Sequence, residues 1–458
     1  MQADSRQEPR REPPIDGGAT PWWLDDLLRS AAAAATRTSL ASVPAAEPRR
    51  PPSGTRGDYA SALALRIAGA VGLPAEALAA DIAAELRLSP HVVSAAAEGR
   101  GFVNVTLTPR ARVSLVRAAC GANYLMGYRP APADRGGRAA AAWALTPLHA
   151  AETVVRAREW AREDARRRMV LAAGADGADD SGARPSETPA EASGGVARRT
   201  GPGAPGRAGA AGPGGSAGPR YYSGPPPSWG SSGRAADEVT EVTWRDPYLD
   251  EPPGESDAAR LLAVLGEASA RFAFCRSAPE HPRAGELTGP GLPALPTAEE
   301  PGNWERHTAA NPGFAVRYAH AHAVRTRAWA ADLGFVPSRA VAEVGSGAGA
   351  RGGALADDAV AALDEPLAAA LAGCLFDGPG VLSAAAGRRQ PHILVRYLEG
   401  VATAYHDWRE SCTAVPTSVA TDAARGEVVM ARLELCAAVA GVLRTGLSLL
   451  GVPAPTRL

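Results

Sequence analysis

Lysine is missing from this chain of 458 residues; all of its 48 basic residues are arginine. That excludes a Schiff-base lysine, a P-loop ammonium and a lysine in an ATP-binding signature loop. Histidine is scarce, at 8 residues, and no two histidines lie three positions apart. His320 and His322 fall two apart on a helical stretch, so they point to different faces and make a poor metal pair. The five cysteines (Cys120, Cys275, Cys374, Cys412, Cys436) are scattered without a C-x-x-C. No zinc site or disulfide framework is expected from them, and they fit a reducing cytosol. Aromatic residues make up 5% of the chain, which leaves little bulky material for one large core. The net charge of −1 excludes a general polycation with affinity for any nucleic acid. No apolar run reaches the length of about 20 residues that a membrane span needs, and the polar start lacks a signal pattern. A cytoplasmic protein is expected.

What is abundant is small or stiff: 50 Gly and 40 Pro, many of them gathered centrally. Residues 174–253 cannot bury enough apolar surface to offset their ordering entropy, so the composition predicts a disordered linker there. Residues 1–55 read as a disordered leader with one short helix opened by Pro21. Trp22 and Trp23 on that helix either pack on the body of the chain or serve a protein partner.

Residues 56–130 form a small α+β module. Ala60, Leu63, Ile67 and Val71 recur at helical spacing, as do Leu78, Ile82 and Leu86, whereas GFVNVTL alternates as a strand. Residues 131–173 hold a charged helix, read as a solvated amphipathic element or as a basic RNA-contacting face of Arg166, Arg167 and Arg168. Residues 254–310 lead into a helical bundle over 311–458. There Asn311-Pro312 is a cap and first turn, and Leu363, Leu367, Leu371 and Leu375 share one helical face. Pro391 opens a helix with Leu394, Leu398, Val401, Tyr405 and Cys412 on one side, and the last helix stops at Gly451. The fold class is therefore mainly α: a small α+β N-terminal module plus a C-terminal α-helical bundle.

In order along the chain, these pieces resemble arginyl-tRNA synthetases. GDYASALALRIAGAVGLPAEALAADIAAEL with GRGFVNVTL resembles the additional N-terminal domain of that family. ASARFAFCRSA and NWERHTAANPGFAVRYAHAHAV resemble the segment leading into its DALR anticodon-binding domain, and RQPHILVRYLEGVATAYHDWRESC with the closing GLSLLGVPAPTRL resembles the rest of that domain. Between them the family pattern fails. A class I synthetase needs an H-x-G-H-like signature and a basic second signature in a Rossmann-type domain, and neither is present. Without those groups to stabilise the transition-state charge, ligase activity is not expected. VAEVGSGAGARGG (341–353) resembles a cofactor loop, but lacking βαβ units around it reads as a flexible connector. No cofactor and no metal site are expected.

The resemblance implies a degenerate synthetase paralogue that binds tRNA, an arginine isoacceptor by descent. It places an anticodon surface on the bundle, with Tyr318, Arg396, Tyr397, Trp408, Arg409 and Arg432 as candidates for base stacking and phosphate contact. It also implies that the strand holding Phe102 and Asn104 faces the tRNA elbow. Arg110 and Arg112 belong to five arginines that run without an acid from Arg100 to Arg129. His320 falls in the family's Tyr-Ala-His turn and reads as structural. Residues 311–458 balance 13 arginines against 13 acids, which keeps a second reading open: a protein-interaction scaffold built from the same fold. A ligase working with a separate catalytic chain is a third.

Overall fold

A computed structural model describes residues 18–52, 54–121, 123–127, 143–174, 256–335, 356–412, 414 and 423–458. The linker expected from 175 onward and the Gly-rich loop at 341–353 lie outside these residues.

The leader is ordered over its described residues, 18–52 and 54–55, contrary to expectation. Helix α1 (Pro21–Thr36) is capped by Thr20, whose hydroxyl accepts from Trp23 N at 3.2 Å, with Pro21 in its first turn. Trp23 is buried against His91 and Trp22 half-buried against Tyr124, each at 5.7 Å between ring centroids. Both rings are thus used inside the chain, and the Trp pair as a protein-docking motif is set aside. Asp25 ties the segment back by accepting from Ala46 N at 2.6 Å and Glu47 N at 2.9 Å.

In the N-terminal module, strand β1 (Tyr59–Ser61) precedes α2 (Leu63–Val71) and α3 (Ala75–Leu86). The start of the expected first helix is therefore extended. Tyr59 and Ser61 point inward and pair with Val105 and Val103, a period of two that outweighs helical spacing there. Strands β2 (Val92–Glu98) and β3 (Phe102–Leu107) complete an antiparallel sheet of order β1-β3-β2. The β2–β3 turn uses Gly101 at φ 124°, where a Cβ would also lie 2.8 Å from Ala75 Cβ. Helix α4 (Pro109–Ala119) follows, capped by Thr108.

Helix α5 (Val154–Ala172) is not a solvated helix. Arg158, Arg162, Asp164 and Arg168 on it are all buried. It packs on α7 (Glu267–Arg276), which follows α6 (Asp257–Leu265) after a break at Gly266. Arg271 Nη1 reaches Asp164 at 3.1 Å and its Nε reaches Glu267 at 2.7 Å; Arg162 holds the Ser277 carbonyl and Glu280. Arg168 donates to the Trp143 and Ser448 carbonyls. Burial, with Arg162 next to it, lowers Arg158 to about 10; burial, with Arg271 next to it, does the same to Arg168. Both stay charged at neutral pH, and backbone carbonyls rather than RNA phosphates take their hydrogens. The basic RNA face proposed for this helix fails for the same reason. Arg166 bonds Glu280 and the Arg389 carbonyl, and Arg167 bonds Asp164.

After a short β4 (Leu287–Gly289) and β5 (Leu292–Pro293) hairpin comes the bundle: α8 (Pro312–Asp332), α9 (Asp357–Asp364), α10 (Pro366–Gly387), α11 (Pro391–Ser411) and α12 (Ala423–Leu449). Asn311 caps α8 by accepting from Gly313 N at 3.0 Å and Phe314 N at 3.2 Å. The leucine row expected on one helix is split at Glu365-Pro366, because proline cannot continue a helix, and Leu367 is left exposed. By length and composition α10 could cross a membrane. Its Leu371, Leu375, Phe376 and Leu382 are instead buried in the core.

One hydrophobic core runs through both ends of the chain, so the N-terminal module and the bundle are not separate tethered units. Tyr59 packs on Phe376 at 4.1 Å, and the Tyr124 hydroxyl donates to the Leu375 carbonyl at 3.0 Å. Around this contact arginines of the module meet acids of the bundle: Arg50 with Asp377, Arg110 with Asp357, Arg112 with Asp364 and Arg117 with Glu434.

Candidate nucleic-acid interface

Helices α8 and α11 lie side by side and raise a column of rings. Phe314, Tyr318 and His322 recur every fourth residue along α8, so they share a face. His307 stacks on Phe314 at 5.6 Å, Phe314 on Tyr318 at 5.9 Å, and Tyr318 on His406 of α11 at 5.7 Å. All three pairs lie within 18° of parallel. Arg409, one turn beyond His406, places its guanidinium 5.5 Å from the Tyr318 centroid. Tyr318 remains 38% exposed, so a planar group from outside can reach its edge.

Protonation here follows from geometry. Arg409 Nε donates to His406 Nδ1 at 2.9 Å, which requires that nitrogen to be bare and places the ring proton on Nε2, facing the Ala315 carbonyl at 3.4 Å. Burial lowers the His406 pKa, and Arg409 lowers it further, against the Ala315 bond and the acids Glu410 and Asp407. His322 falls to about 4 through burial, Arg409 and His406, and its Nδ1 lies 2.9 Å from the Tyr405 hydroxyl. Tyr318, His322 and His406 therefore make a neutral surface beside one cation, Arg409. No acid pairs with Arg409 among the described residues.

The structure brings Tyr318 and Arg409 together and separates the other candidates from them. Trp408 is 1% exposed, a core ring with no face to offer a base. It sits on the inward side of α11 because helical period sends its neighbour Arg409 outward. The Tyr397 hydroxyl is buried, and a Cβ at Gly378 would lie 2.5 Å from it. Arg396 bonds Glu399 and the Thr288 carbonyl, each at 3.1 Å, and Arg432 faces Glu365 at 3.8 Å. Arg112 is half-buried against Asp364 of the bundle, and Arg110 pairs with Asp357 on the exposed surface. Taken singly, His307 and Phe314 carry no signal that singles them out in the sequence, and His406 lies in the chemistry-dense run Tyr405–Arg409 without being among the stacking candidates. The four-residue spacing of Phe314 and Tyr318 was the available signal for the first ring pair. His320 is structural: it is buried, bonds the Pro455 carbonyl through Nδ1 at 3.0 Å, and burial lowers it to about 4.

A second surface lies on the sheet of the N-terminal module. Arg56, Gly57, Ser94, Ala96, Glu98, Asn104 and Thr106 line a depression of about 440 Å³. Asn104 is fixed in it by donating to the Arg56 carbonyl at 2.9 Å and to Glu98. Phe102 stands half-exposed at the end of the same strand.

The fold thus joins a small α+β module to a helical bundle that carries a partly exposed aromatic face, and a domain model matches each part. Residues 24–107 match the arginyl tRNA synthetase N terminal domain, and residues 347–458 match the DALR anticodon binding domain. The chain is arginyl-tRNA synthetase-like, with both domains in that order. Over 89 residues it is 45% identical to the arginine–tRNA ligases of two Tropheryma whipplei strains, TW08/27 and Twist. That alignment takes in 19% of this chain, and the chain spans only 16% of the length of those relatives. Among solved structures, the arginyl-tRNA synthetase of Thermus thermophilus aligns over 95% of this chain and 100% of its own, at 15% identity and a TM-score of 0.43. A putative arginyl-tRNA synthetase from Campylobacter jejuni aligns over 45% of this chain and 37% of its own, at 18% identity and a TM-score of 0.29.

Proposed function

We propose that this chain is a cytoplasmic tRNA-binding protein that does not charge tRNA, with an arginine isoacceptor as its ligand. The observation that carries the reading is the partly exposed ring column on α8 and α11, ended by a guanidinium without a carboxylate partner among the described residues. Unpaired loop bases are held by such aromatic and Arg planes, and the adjacent cation attracts phosphate. The DALR match supports anticodon binding. The sheet depression with Phe102 and Asn104 serves as a second contact for the same RNA. The lack of an H-x-G-H signature and of any lysine supports the absence of aminoacylation.

The test is binding of purified protein to total tRNA and to an arginine-accepting transcript at two salt concentrations, beside a charging assay with ATP and arginine. Saturable, salt-sensitive binding without charging is expected. Charging by this chain alone would overturn the inactive reading. One observation favours a protein scaffold instead: Arg110, Arg112 and Arg117, the basic run of the N-terminal module, are occupied by acids of the bundle. Failure to bind RNA at low salt would overturn the RNA reading and favour that alternative.

A further inference from the structure

The ring column does not exhaust the exposed face of α8. Arg325 and Trp329 follow Tyr318 by 7 and 11 residues on the same helix. At 100° per residue all three fall within about 40° of one another around the helix. Trp329 is 53% exposed, more than any other tryptophan among the described residues, and Leu333 beyond it is exposed as well. Arg325 is exposed and makes no ion pair among the described residues. A large exposed ring on a soluble helix costs solubility unless something covers it. Neither Arg325 nor Trp329 is used by the packing of α8, which buries Val316, Ala319, Ala323 and Ala330.

We propose that Arg325 and Trp329 form a second stacking and phosphate station, which extends the α8–α11 face so that it takes a run of single-stranded RNA rather than one unpaired base. The inference rests on the tRNA-binding reading above and deepens it. Continuity selects RNA as the occupant: Trp329 lies on the same stripe as Tyr318, with an unpaired arginine between them and another, Arg409, beside it. Arg325 and Arg409 offer cations to a phosphate chain, while the exposed Asp332 flanks Arg325 on the helix. The rise of 1.5 Å per residue sets the two rings about 16 Å apart along the helix. At ~3.4 Å per stacked step, that span corresponds to about five nucleotides. A dinucleotide at Tyr318 therefore cannot touch Trp329, whereas an octanucleotide can touch both.

The experiment is fluorescence anisotropy of labelled, unstructured RNA of two to eight nucleotides with the full chain, its Trp329→Ala and Arg325→Gln variants, and Tyr318→Ala. Circular dichroism of each variant confirms the fold. Loss of one base stack is expected to weaken octanucleotide binding by Trp329→Ala about tenfold. Dinucleotide binding is expected to fall less than octanucleotide binding, because the Tyr318 site still takes two bases. Arg325→Gln is expected to lower the slope of log K against log salt by about 0.7, the value for one phosphate contact to a single strand. An octanucleotide held as tightly by Trp329→Ala as by the wild type would overturn the second station while leaving tRNA binding intact. No binding of tRNA or any oligonucleotide by the wild type would overturn both.

Discussion

The guanidinium of Arg112 holds both carboxylate oxygens of Asp364, Nη2 lying 2.8 and 3.0 Å from them, although 252 positions separate the two residues. Its Nη1 also reaches Asp58 and the Leu107 carbonyl, each at 2.9 Å. A residue that sequence suggested for RNA phosphate instead joins the two ends of the chain. Arg112→Met removes these bonds and leaves Asp364 and Asp58 facing one another without a cation. The expected loss is about 1.5–3 kcal/mol of unfolding free energy, the range for hydrogen bonds to charged groups. Urea denaturation checks it, and a change below about 0.5 kcal/mol, the scale of a neutral surface substitution, would refute the joint.

His320 makes the fold acid-sensitive. Its pKa in the folded chain, about 4, lies below its ordinary 6.5, because burial disfavours the charged ring. The neutral form is the one that folds, so this contribution is complete above about pH 6.5 and is lost as pH falls toward 4. Over that window the loss is on the order of 3 kcal/mol. Asn at this position can still donate to the Pro455 carbonyl without titrating. The difference in stability between wild type and His320→Asn should therefore narrow steadily from pH 7 to pH 4. A difference independent of pH would show that the ring is not held neutral.

Tyr318 and Arg409 should act as a unit. In a double-mutant cycle with Tyr318→Leu and Arg409→Gln, a cation held over an exposed ring predicts a coupling of about 0.5–1 kcal/mol in stability. The same pair should couple again in tRNA affinity. Strictly additive effects in both measurements would separate the two residues.

Gly446 lets α12 cross α11 closely, since a Cβ there would collide with the buried side chain of Leu398. Gly446→Ala gains about 1 kcal/mol of helix propensity and loses about 1–3 kcal/mol to overpacking. A net destabilisation is expected in thermal melts. It should become a net gain when Leu398→Val makes room; no rescue by that second change would place the strain elsewhere.

The elements with one clear period were legible from sequence. Asn311-Pro312, Pro391 and the row Leu394, Leu398, Val401 and Tyr405 announced α8 and α11 because cap chemistry and burial agree there. Strand β1 was hidden, because Tyr59-Ala60-Ser61 fits a helix until β3 supplies its pairing partner. The destination of the arginines was hidden for the same kind of reason. Charge and spacing are alike in Arg409, which faces outward, and Arg162, which is buried, and only the tertiary neighbours Tyr318 and Ser277 tell them apart. Trp408 shows the limit at the site itself: one step along the helix separates a core ring from the half-buried cation beside it.

The joint between module and bundle also sets a schedule for synthesis. Tyr124 and Arg50 meet Leu375 and Asp377 across separations of 251 and 327 residues. At about 5–20 residues per second, a ribosome takes tens of seconds to bridge such gaps. Throughout that interval the N-terminal module presents the faces of Tyr59 and Tyr124 uncovered, a nascent chain with an open apolar side and a row of unanswered arginines. Until α10 emerges, that side has only solvent or transient self-contact to cover it, so the final packing is completed late in synthesis.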